Sequence, residues 1–264
     1  MPRLAFVGNL SHDLVDGGPP RIGGGPIHCA RALRVIGARA AILARSARED
    51  EPAFRQGFAR LGLAVTLVPG TATTTFAFSY HGDRREMRVV RVGDVWSEAE
   101  AAAVPHGAWV HAAPLLRDDF PADTLAALAR GRHLSLDGQG LTRVRAAGPL
   151  RLEPDRDPAL LRHVRILKLA EEEAEALAGG LDPDALAALG PPEIVVTFGS
   201  RGSLVVADGR AERVSAHYVD GDPTGSGDTF SAAYLAARAS GHAPVPAARR
   251  ATGVVAAVLK EVAA

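Results

Sequence analysis

Short apolar runs alternate along the chain with longer segments in which apolar residues recur at helical spacing. The short runs, at 4–7, 40–43, 64–68, 109–112, 133–136, 164–167 and 194–197, predict buried strands. The periodic segments, at 30–36, 54–61, 124–129, 171–177, 226–239 and 247–258, predict helices. Strands separated by helices pair in parallel through right-handed crossovers. The pattern therefore predicts an α/β fold in which helices cover both faces of a mostly parallel central sheet.

Two segments break this alternation and predict antiparallel hairpins. The first pairs 73–80 with 86–91 around 81–83, and the second pairs 203–206 with 212–217 around 208–209. We expect both hairpins to be additions to the parallel sheet. No repeat or linker is visible, so we predict one domain over residues 1–264.

The first hairpin is the expected cover of a ligand site. Period two places Phe76, Phe78 and Tyr80 on one of its faces. The stretch between Asn9 and Gly25 is polar and glycine-rich, which is typical of a loop, and it is so short that a hairpin there could cover little more than one small ligand.

Composition and charge exclude several classes of protein. The 264 residues include 30 Lys+Arg and 30 Asp+Glu, and zero net charge argues against nucleic acid or a membrane surface as the main partner. Neither lysine, Lys168 or Lys260, follows a glycine, which excludes the Walker A loop of P-loop NTPases. One cysteine, Cys29, cannot form an internal disulfide, and no signal peptide or membrane span is apparent. We therefore expect a cytoplasmic protein.

The strongest candidate for chemistry is the segment 222–230, which reads Asp-Pro-Thr-Gly-Ser-Gly-Asp-Thr-Phe before a predicted helix. Unpaired N–H groups of Gly225, Ser226 and Gly227 would face an anion at the positive end of the helix dipole. Asp228 would place a carboxylate beside it. Phosphoryl transfer to a hydroxyl needs such donors and such a base. In the alternative interpretation, the glycines only make a turn and Asp228 only caps the helix.

This segment closely resembles the C-terminal signature of the ribokinase-like (PfkB) carbohydrate kinases, and the resemblance extends over nearly the whole chain. Gly23-Gly24 before a helix resembles the glycine motif of the family's sugar site. Residues 197–202, Thr-Phe-Gly-Ser-Arg-Gly, resemble its T-x-G-x-x-G nucleotide loop. The resemblance implies a three-layer α/β/α sandwich with a small or reduced β lid.

The resemblance also implies roles for individual residues. Asp228 is implied as the catalytic base, with the N–H groups of Gly225, Ser226 and Gly227 as the anion hole. The implied acceptor-binding residues are Asn9, Asp13, Gly23, Gly24, His28 and Gln139. The implied nucleotide-binding residues are Lys168, Thr197, Gly199, Gly202 and Thr224. The implied cofactors are ATP, Mg²⁺ held through water by Glu173, and a monovalent cation such as K⁺.

Two departures from the family pattern bear on specificity. The usual K-P-N-x-x-E becomes Lys-Leu-Ala-Glu-Glu-Glu over 168–173, so Glu173 is kept but Ala170 replaces the asparagine. His28 replaces the asparagine common after the first glycine pair, which argues against ordinary ribokinase specificity. Residues 8–13, 136–139 and 167–173 together are most similar to the myo-inositol kinase branch.

We therefore predict ATP-dependent phosphorylation of a small polyol or sugar, with a cyclic polyol such as myo-inositol first. Only Arg21 and Arg31 lie near the glycine motif and aromatic residues make up 5% of the chain, which argues against phosphorylated and nucleoside acceptors. The alternatives are a nucleoside or other sugar kinase and a non-catalytic sugar- or nucleotide-binding descendant. In the alternative interpretation, Asn9 and His12 only hold the loop after the first strand. Pairing of the exposed hairpin edges predicts a homodimer.

Overall fold

The computed structural model describes residues 4–81, 84–105 and 107–263. Its strands are β1 (Leu4–Asn9), β2 (Ser11–Val15), β3 (Arg21–Gly23), β4 (Ala41–Ala47), β5 (Thr66–Gly70), β6 (Thr74–His81), β7 (Arg84–Arg91), β8 (Trp109–Ala113), β9 (His133–Asp137), β10 (Gly148–Pro149), β11 (Val164–Ala170), β12 (Glu193–Thr197), β13 (Ser203–Ala207) and β14 (Arg210–Val214). Its helices are α1 (Gly25–Ile36), α2 (Glu51–Arg60), α3 (Glu98–Ala102), α4 (Ala122–Ala129), α5 (Gln139–Thr142), α6 (Pro158–Leu161), α7 (Glu171–Ala178), α8 (Pro183–Ala187), α9 (Ser226–Ala239) and α10 (Pro244–Ala263). All seven predicted strands and all six predicted helices are present, with boundaries shifted by a few residues at most ends.

The main sheet has nine strands in the order β14-β13-β12-β11-β9-β8-β1-β4-β5. Its pairings are parallel from β12 to β5, and β13 and β14 extend it as an antiparallel hairpin. Asp208 and Gly209 join that hairpin with φ values of 53° and 69°, as a two-residue turn of the primed type requires. The mostly parallel sheet and the second hairpin are therefore confirmed.

Helices cover both faces of the main sheet, as predicted. Along β1, Phe6 packs with the cluster that includes α1, α9 and α10, and Val7 packs with the opposite cluster that includes α4 and α7. Successive strand residues point to opposite faces, and both faces of β1 are buried. The result is a three-layer α/β/α arrangement. None of the described helices is long and apolar enough to cross a membrane.

The lid is a separate five-stranded sheet in the order β10-β7-β6-β2-β3. The expectation that the first hairpin extends the parallel sheet was therefore wrong. The stretch between Asn9 and Gly25 is more than a loop, since it contains the short antiparallel hairpin of β2 and β3, which agrees with the small hairpin expected there. Strand β2 exists because it pairs with β6 about sixty residues away, and no local pattern reveals such a pairing. Phe76 and Phe78 share the buried face as predicted, whereas the side chain of Tyr80 and residues 82–83 lie outside the described part of the chain.

Candidate active site

The carboxyl ends of the parallel strands meet the amino ends of α1 and α9 at one edge of the main sheet. Asp137 ends β9, Lys168 lies near the end of β11 in register with it, and Thr197 ends β12. Side chains that follow neighbouring parallel strands share one edge, where open α/β sheets bind ligands. A cleft of about 330 Å³ lies at this edge, and we call it the central cleft.

Most of the predicted site residues line this central cleft. They are Asp13, Gly24, His28, Gln139, Lys168, Glu173, Thr197, Gly199, Thr224, Gly225, Ser226, Gly227 and Asp228. The structure does not bring Asn9, Gly23 or Gly202 to the lining.

Glycines allow α1 and α9 to approach each other at the cleft. A Cβ atom at Gly25 would lie 2.9 Å from Oδ1 of Asp228, and one at Gly225 would lie 2.0 Å from Nδ1 of His28. Gly225 also has a φ of 77°, which L residues rarely adopt. The two glycine motifs therefore complete one site by removing side chains from the contact between two helices.

The three N–H groups of the predicted anion hole differ in their backbone partners. Helix α9 begins at Ser226, so its first N–H groups lack partners within the helix. The N–H of Ser226 donates to the carbonyl oxygen of Pro223 at 3.0 Å, which corrects its predicted role as an anion donor. The N–H groups of Gly225 and Gly227 have no such backbone partner among the described residues. The turn at Pro223 therefore uses the N–H of Ser226 and leaves those of Gly225 and Gly227 available to a ligand.

Lys168 and Asp137 form a buried ion pair beneath the cleft. Lys168 Nζ lies 3.2 Å from Oδ2 of Asp137, and the two side chains are 6% and 0% exposed. Burial opposes both charges, but the pair outweighs it, so the pKa of Asp137 is lowered and that of Lys168 is raised. Both groups therefore stay charged at neutral pH, which makes Lys168 a fixed cation for an anionic ligand.

Asp228 differs from Asp137 although both are buried. Burial, followed by repulsion from Asp137, raises the pKa of Asp228 to about 7 against the attraction of Lys168. A base whose pKa lies near the working pH exchanges a proton most effectively. The position of Asp228 in the first turn of α9 thus supplies a carboxyl group poised to accept a proton.

Glu173 closes the floor of the cleft and caps α7. Its Oε2 accepts the N–H of Ala170 at 2.8 Å. Burial raises the pKa of Glu173 against the attraction of Lys168. Together with Glu172, which also lines the cleft, it provides the oxygen ligands that suit Mg²⁺. No group of three or more His, Cys, Asp or Glu side chains in the described ranges is placed to hold a metal ion, so a magnesium ion at this place would depend on water and on donor oxygens for its other ligands.

The part of the central cleft beneath the lid is polar at its base and apolar where the lid covers it. Asp13 on β2 accepts a hydrogen bond from the hydroxyl of Ser11 at 2.8 Å. A Cβ at Gly23 would lie 2.3 Å from Oδ2 of Asp13, so Gly23 makes room for this carboxylate without lining the cleft. His28 and Gln139 line the same space.

Asn9 holds a loop near the lid. Its side-chain Nδ2 donates to the carbonyl oxygen of Asp94 at 3.0 Å, and its Oδ1 accepts from Nε1 of Trp96 at 2.8 Å. His12 stacks on Phe54 at 5.3 Å between ring centroids. These contacts correct the prediction that Asn9 binds the acceptor, because its amide is committed to the segment that follows β7.

The glycine loop after β12 borders a second and larger space. A cavity of about 570 Å³ lies between this loop, the segment 216–223 and α10, and we call it the outer cavity. It shares Thr197, Gly199 and Gly227 with the central cleft. Gly202 shapes the loop: its φ is 93°, and a Cβ there would lie 2.0 Å from the carbonyl oxygen of Val214.

Sequence reasoning did not single out Asp137, which lies buried beneath the cleft, or Arg143, which lines it. Asp137 is the last residue of β9, and that position at a strand end could have marked it. Arg143 lines the cleft and helps to lower the pKa of Asp137, but it follows the short helix α5, and no local pattern marked it. No residue in the described ranges forms an ion pair with Arg143.

The model of the pfkB family carbohydrate kinases matches residues 16–264. The chain belongs to the pfkB family. Among solved structures it is similar to a pyrophosphate-dependent kinase in the ribokinase family complexed with a pyrophosphate analog and myo-inositol, with 26% identity, a TM-score of 0.86, and coverage of 97% of this chain and 95% of that chain. A sulfate complex of a pyrophosphate-dependent kinase in the ribokinase family matches with 27% identity, a TM-score of 0.84 and the same coverage.

More distant pfkB-type structures share the fold. Fructokinase from Vibrio cholerae O395, solved with fructose, ADP and calcium, has 23% identity and a TM-score of 0.76, with coverage of 98% of this chain and 93% of that chain. Family membership and these neighbours show a kinase with the ribokinase-like α/β fold, as predicted from the segment 222–230.

Proposed function

We propose that this pfkB protein transfers a phosphoryl group to a hydroxyl of a small neutral polyol, with a cyclic polyol such as myo-inositol as the first candidate. The proposal is carried by the carboxyl group of Asp228, which lies at the amino end of α9 near the charged side chain of Lys168. The pKa of this carboxyl group is raised to about 7. A protein that only binds a ligand has no need of a base at that place.

In the proposed step, the acceptor hydroxyl loses its proton to a carboxylate oxygen of Asp228. The oxygen of the acceptor hydroxyl then forms a bond to the terminal phosphorus of the phosphoryl donor. The bond between that phosphorus and the oxygen of the leaving phosphate breaks. The N–H groups of Gly225 and Gly227 and the ammonium of Lys168 stabilise the negative charge on the transferred group. Magnesium bound at Glu173 would neutralise part of the donor's charge.

A cyclic polyol suits the acceptor side because it has hydroxyls at its edge and C–H groups on its faces. Asp13, His28 and Gln139 offer buried polar groups for the hydroxyls, and Phe76 and Phe78 of the lid line the same cleft. A relative of 26% identity was solved with myo-inositol. Buried polar groups reject a ligand that lacks matching hydroxyls, because unpaired groups keep their desolvation cost.

We infer ATP as the phosphoryl donor from the outer cavity. Phe198 and Leu259 line it, and Tyr218 at its rim is 76% exposed. An apolar space of this size beside an anion site suits the base of a nucleotide. A monovalent cation such as K⁺ remains part of the proposal.

Pyrophosphate is the second candidate donor. Two relatives of 26% and 27% identity are pyrophosphate-dependent kinases. Arg143 and Lys168 together provide two cations in the central cleft, and such a pair suits a compact polyanion.

An assay that detects the phosphorylated acceptor tests both choices. Purified protein with Mg²⁺ is offered ATP or pyrophosphate, each with myo-inositol, ribose, fructose 6-phosphate or adenosine. We expect the highest kcat/KM with ATP and myo-inositol. A tenfold preference for adenosine or a sugar phosphate would contradict the polyol, and product formed only from pyrophosphate would contradict ATP. No product from any pair would favour a non-catalytic binding protein.

Replacing Tyr218 with alanine sharpens the choice of donor. If the outer cavity holds the base of ATP, Tyr218→Ala raises KM for ATP about fivefold through loss of aromatic contact. The KM values for the acceptor and for pyrophosphate stay unchanged and serve as internal controls. An unchanged KM for ATP would contradict the proposal that the outer cavity binds the adenine base.

We also propose a homodimer that pairs through the lid sheets. Strands β3 and β10 are the edges of that sheet, and Val90 on β7 is 51% exposed. Sheet edges and exposed apolar side chains favour association. Light scattering of the purified protein should give the mass of two chains, and the mass of one chain would remove this proposal without affecting the kinase proposal.

A further inference from the structure

His28 stands between the central cleft and a side cavity of about 230 Å³, whose lining includes Arg21, Arg31 and Asp222. Arg31 follows His28 by one turn of α1, and its Nη1 lies 3.3 Å from Nδ1 of His28. Arg31 does not line the central cleft. Arg31 is therefore not placed to contact a ligand in the central cleft directly, and its hydrogen bond to His28 links it to that space.

The chemistry of this contact determines the proton positions on His28. A guanidinium group carries only donors and stays protonated in proteins. Nδ1 of His28 must therefore accept, which leaves the ring neutral with its single proton on Nε2. A protonated ring would set two N–H donors against each other.

The surroundings of the ring favour its neutral form and hold it in place. A Cβ at Gly225 would lie 2.0 Å from Nδ1 and 2.2 Å from Cγ, so the Nδ1 edge of the imidazole rests against the start of α9. The ring is buried, and no residue in the described ranges bonds Nε2. Burial, together with the charge of Arg31 and against that of Asp222, lowers the pKa of His28 to about 3.

We propose that Arg31 is a positioning residue that locks His28 in its neutral Nε2–H tautomer, and that His28 thereby presents one fixed hydrogen-bond donor to an acceptor oxygen. The inference rests on the proposed function in taking the cleft to bind a hydroxylated acceptor. It deepens that function because it assigns recognition of the acceptor to the Nε2–H group of His28, and the orientation of this group is set by Arg31, which lies outside the central cleft. A bound hydroxyl must therefore offer a lone pair to His28 and direct its own proton elsewhere.

Long-range ¹H–¹⁵N correlation spectra of the ligand-free, ¹⁵N-labelled protein test the tautomer without any assay of activity. The His28 signals are assigned by their loss in His28→Asn. We expect Nε2 to resonate as a protonated nitrogen and Nδ1 as an unprotonated one throughout pH 5.5–8. An Nδ1–H tautomer or a protonated ring in that range would overturn the proposal, whatever the protein phosphorylates.

Variants of Arg31 test the positioning role. In Arg31→Leu we expect both nitrogens to show averaged shifts from a mixture of tautomers, and Arg31→Lys, which still only donates, should restore the single tautomer. Arg34→Leu is the matched control, because Arg34 lies on the same helix and pairs with Glu261 at the surface. An unchanged His28 spectrum in Arg31→Leu would contradict the proposal. If Arg31→Leu does not fold, Arg31→Lys and the wild-type spectra still decide the tautomer.

Kinetics then separate positioning from catalysis. Loss of one oriented hydrogen bond predicts a rise in acceptor KM of about threefold to tenfold in Arg31→Leu, with the KM for the donor unchanged. Arg31→Lys should recover most of the acceptor KM. A fall in kcat without a change in acceptor KM would overturn the assignment to acceptor recognition. Absence of activity in the wild type would instead contradict the proposed function, and the spectra would still decide the tautomer.

Discussion

Asp137 and Asp228 are both buried beside the ammonium of Lys168, yet their pKa values move in opposite directions. Asp137 ends a strand and lies 3.2 Å from Lys168 Nζ, and its pKa is lowered. Asp228 lies in the first turn of α9. Its pKa rises to about 7, and the charge of Asp137 is one cause. One cation thus stabilises one carboxylate fully and leaves the other only partly compensated.

This difference separates two roles that carboxylates take in phosphoryl transfer. Environments that push the pKa values of neighbouring groups apart assign one group to permanent charge and the other to proton exchange. The Asp137–Lys168 pair provides a fixed cation, and Asp228 accepts a proton near neutral pH. This arrangement depends on where β9 and β11 end and where α9 begins. If the strands paired in a different register, Asp137, Lys168 and Asp228 would not lie together.

The largest effect is expected from Asp228→Asn. Loss of the positioned base lowers kcat by about 10²–10⁴. The folded-state pKa of Asp228 lies above its ordinary value, so its contribution to stability is present below about pH 4 and is lost as the pH rises through about 7. The variant should therefore be more stable than wild type at pH 8, by up to about 4 kcal/mol, and the advantage should vanish near pH 4.

Enzyme assays and thermal unfolding at pH 4 and pH 8 check this prediction. Asp208→Asn is the matched control, because Asp208 is exposed in a turn and its φ of 53° suits asparagine. A variant of Asp228 that keeps more than about a tenth of wild-type kcat would contradict its role as the base.

Lys168→Met should have the next largest effect. Removing a charged donor from the transferred phosphoryl group lowers kcat/KM at pH 7.5 by about 10²–10³. Without the cation of Lys168, only Arg143 still opposes the repulsion from Asp137. The pKa of Asp228 therefore rises further, and the acid limb of the pH–rate profile moves to higher pH. Lys260→Met is the control, because Lys260 is exposed on α10. An acid limb at the same pH as in the wild type would show that the charge of Lys168 does not influence the pKa of Asp228.

Asp137→Asn should have the smallest effect on rate and the opposite effect on the profile. Removing one negative charge lowers the pKa of Asp228, so the acid limb moves to lower pH, and kcat at pH 7.5 falls less than about tenfold. Stability falls by about 3–5 kcal/mol because Lys168 loses its close partner. Chemical denaturation and a pH–rate profile measure the two effects. A shift of the limb to higher pH would contradict the assigned coupling.

Local sequence determined much of this protein. Apolar runs and helical spacing were sufficient for the nine-stranded sheet and its covering helices, because burial on both faces selects those patterns over short distances. The segment 222–230 was sufficient to predict a glycine-rich helix start with a carboxylate in its first turn, since a helix start depends mainly on neighbouring residues. Thirteen of the sixteen predicted site residues therefore line the central cleft.

The tertiary structure alone decided the remainder. The lid became a second sheet because β2 pairs with β6, and the amide of Asn9 turned from the cleft to Trp96. The Ser226 N–H is used by Pro223, and Arg31 reaches His28 across one turn of α1. The opposite ionisation of Asp137 and Asp228 likewise needs the distance of each from Lys168. Such properties depend on which distant groups share a buried space, and that is decided by packing across the whole chain.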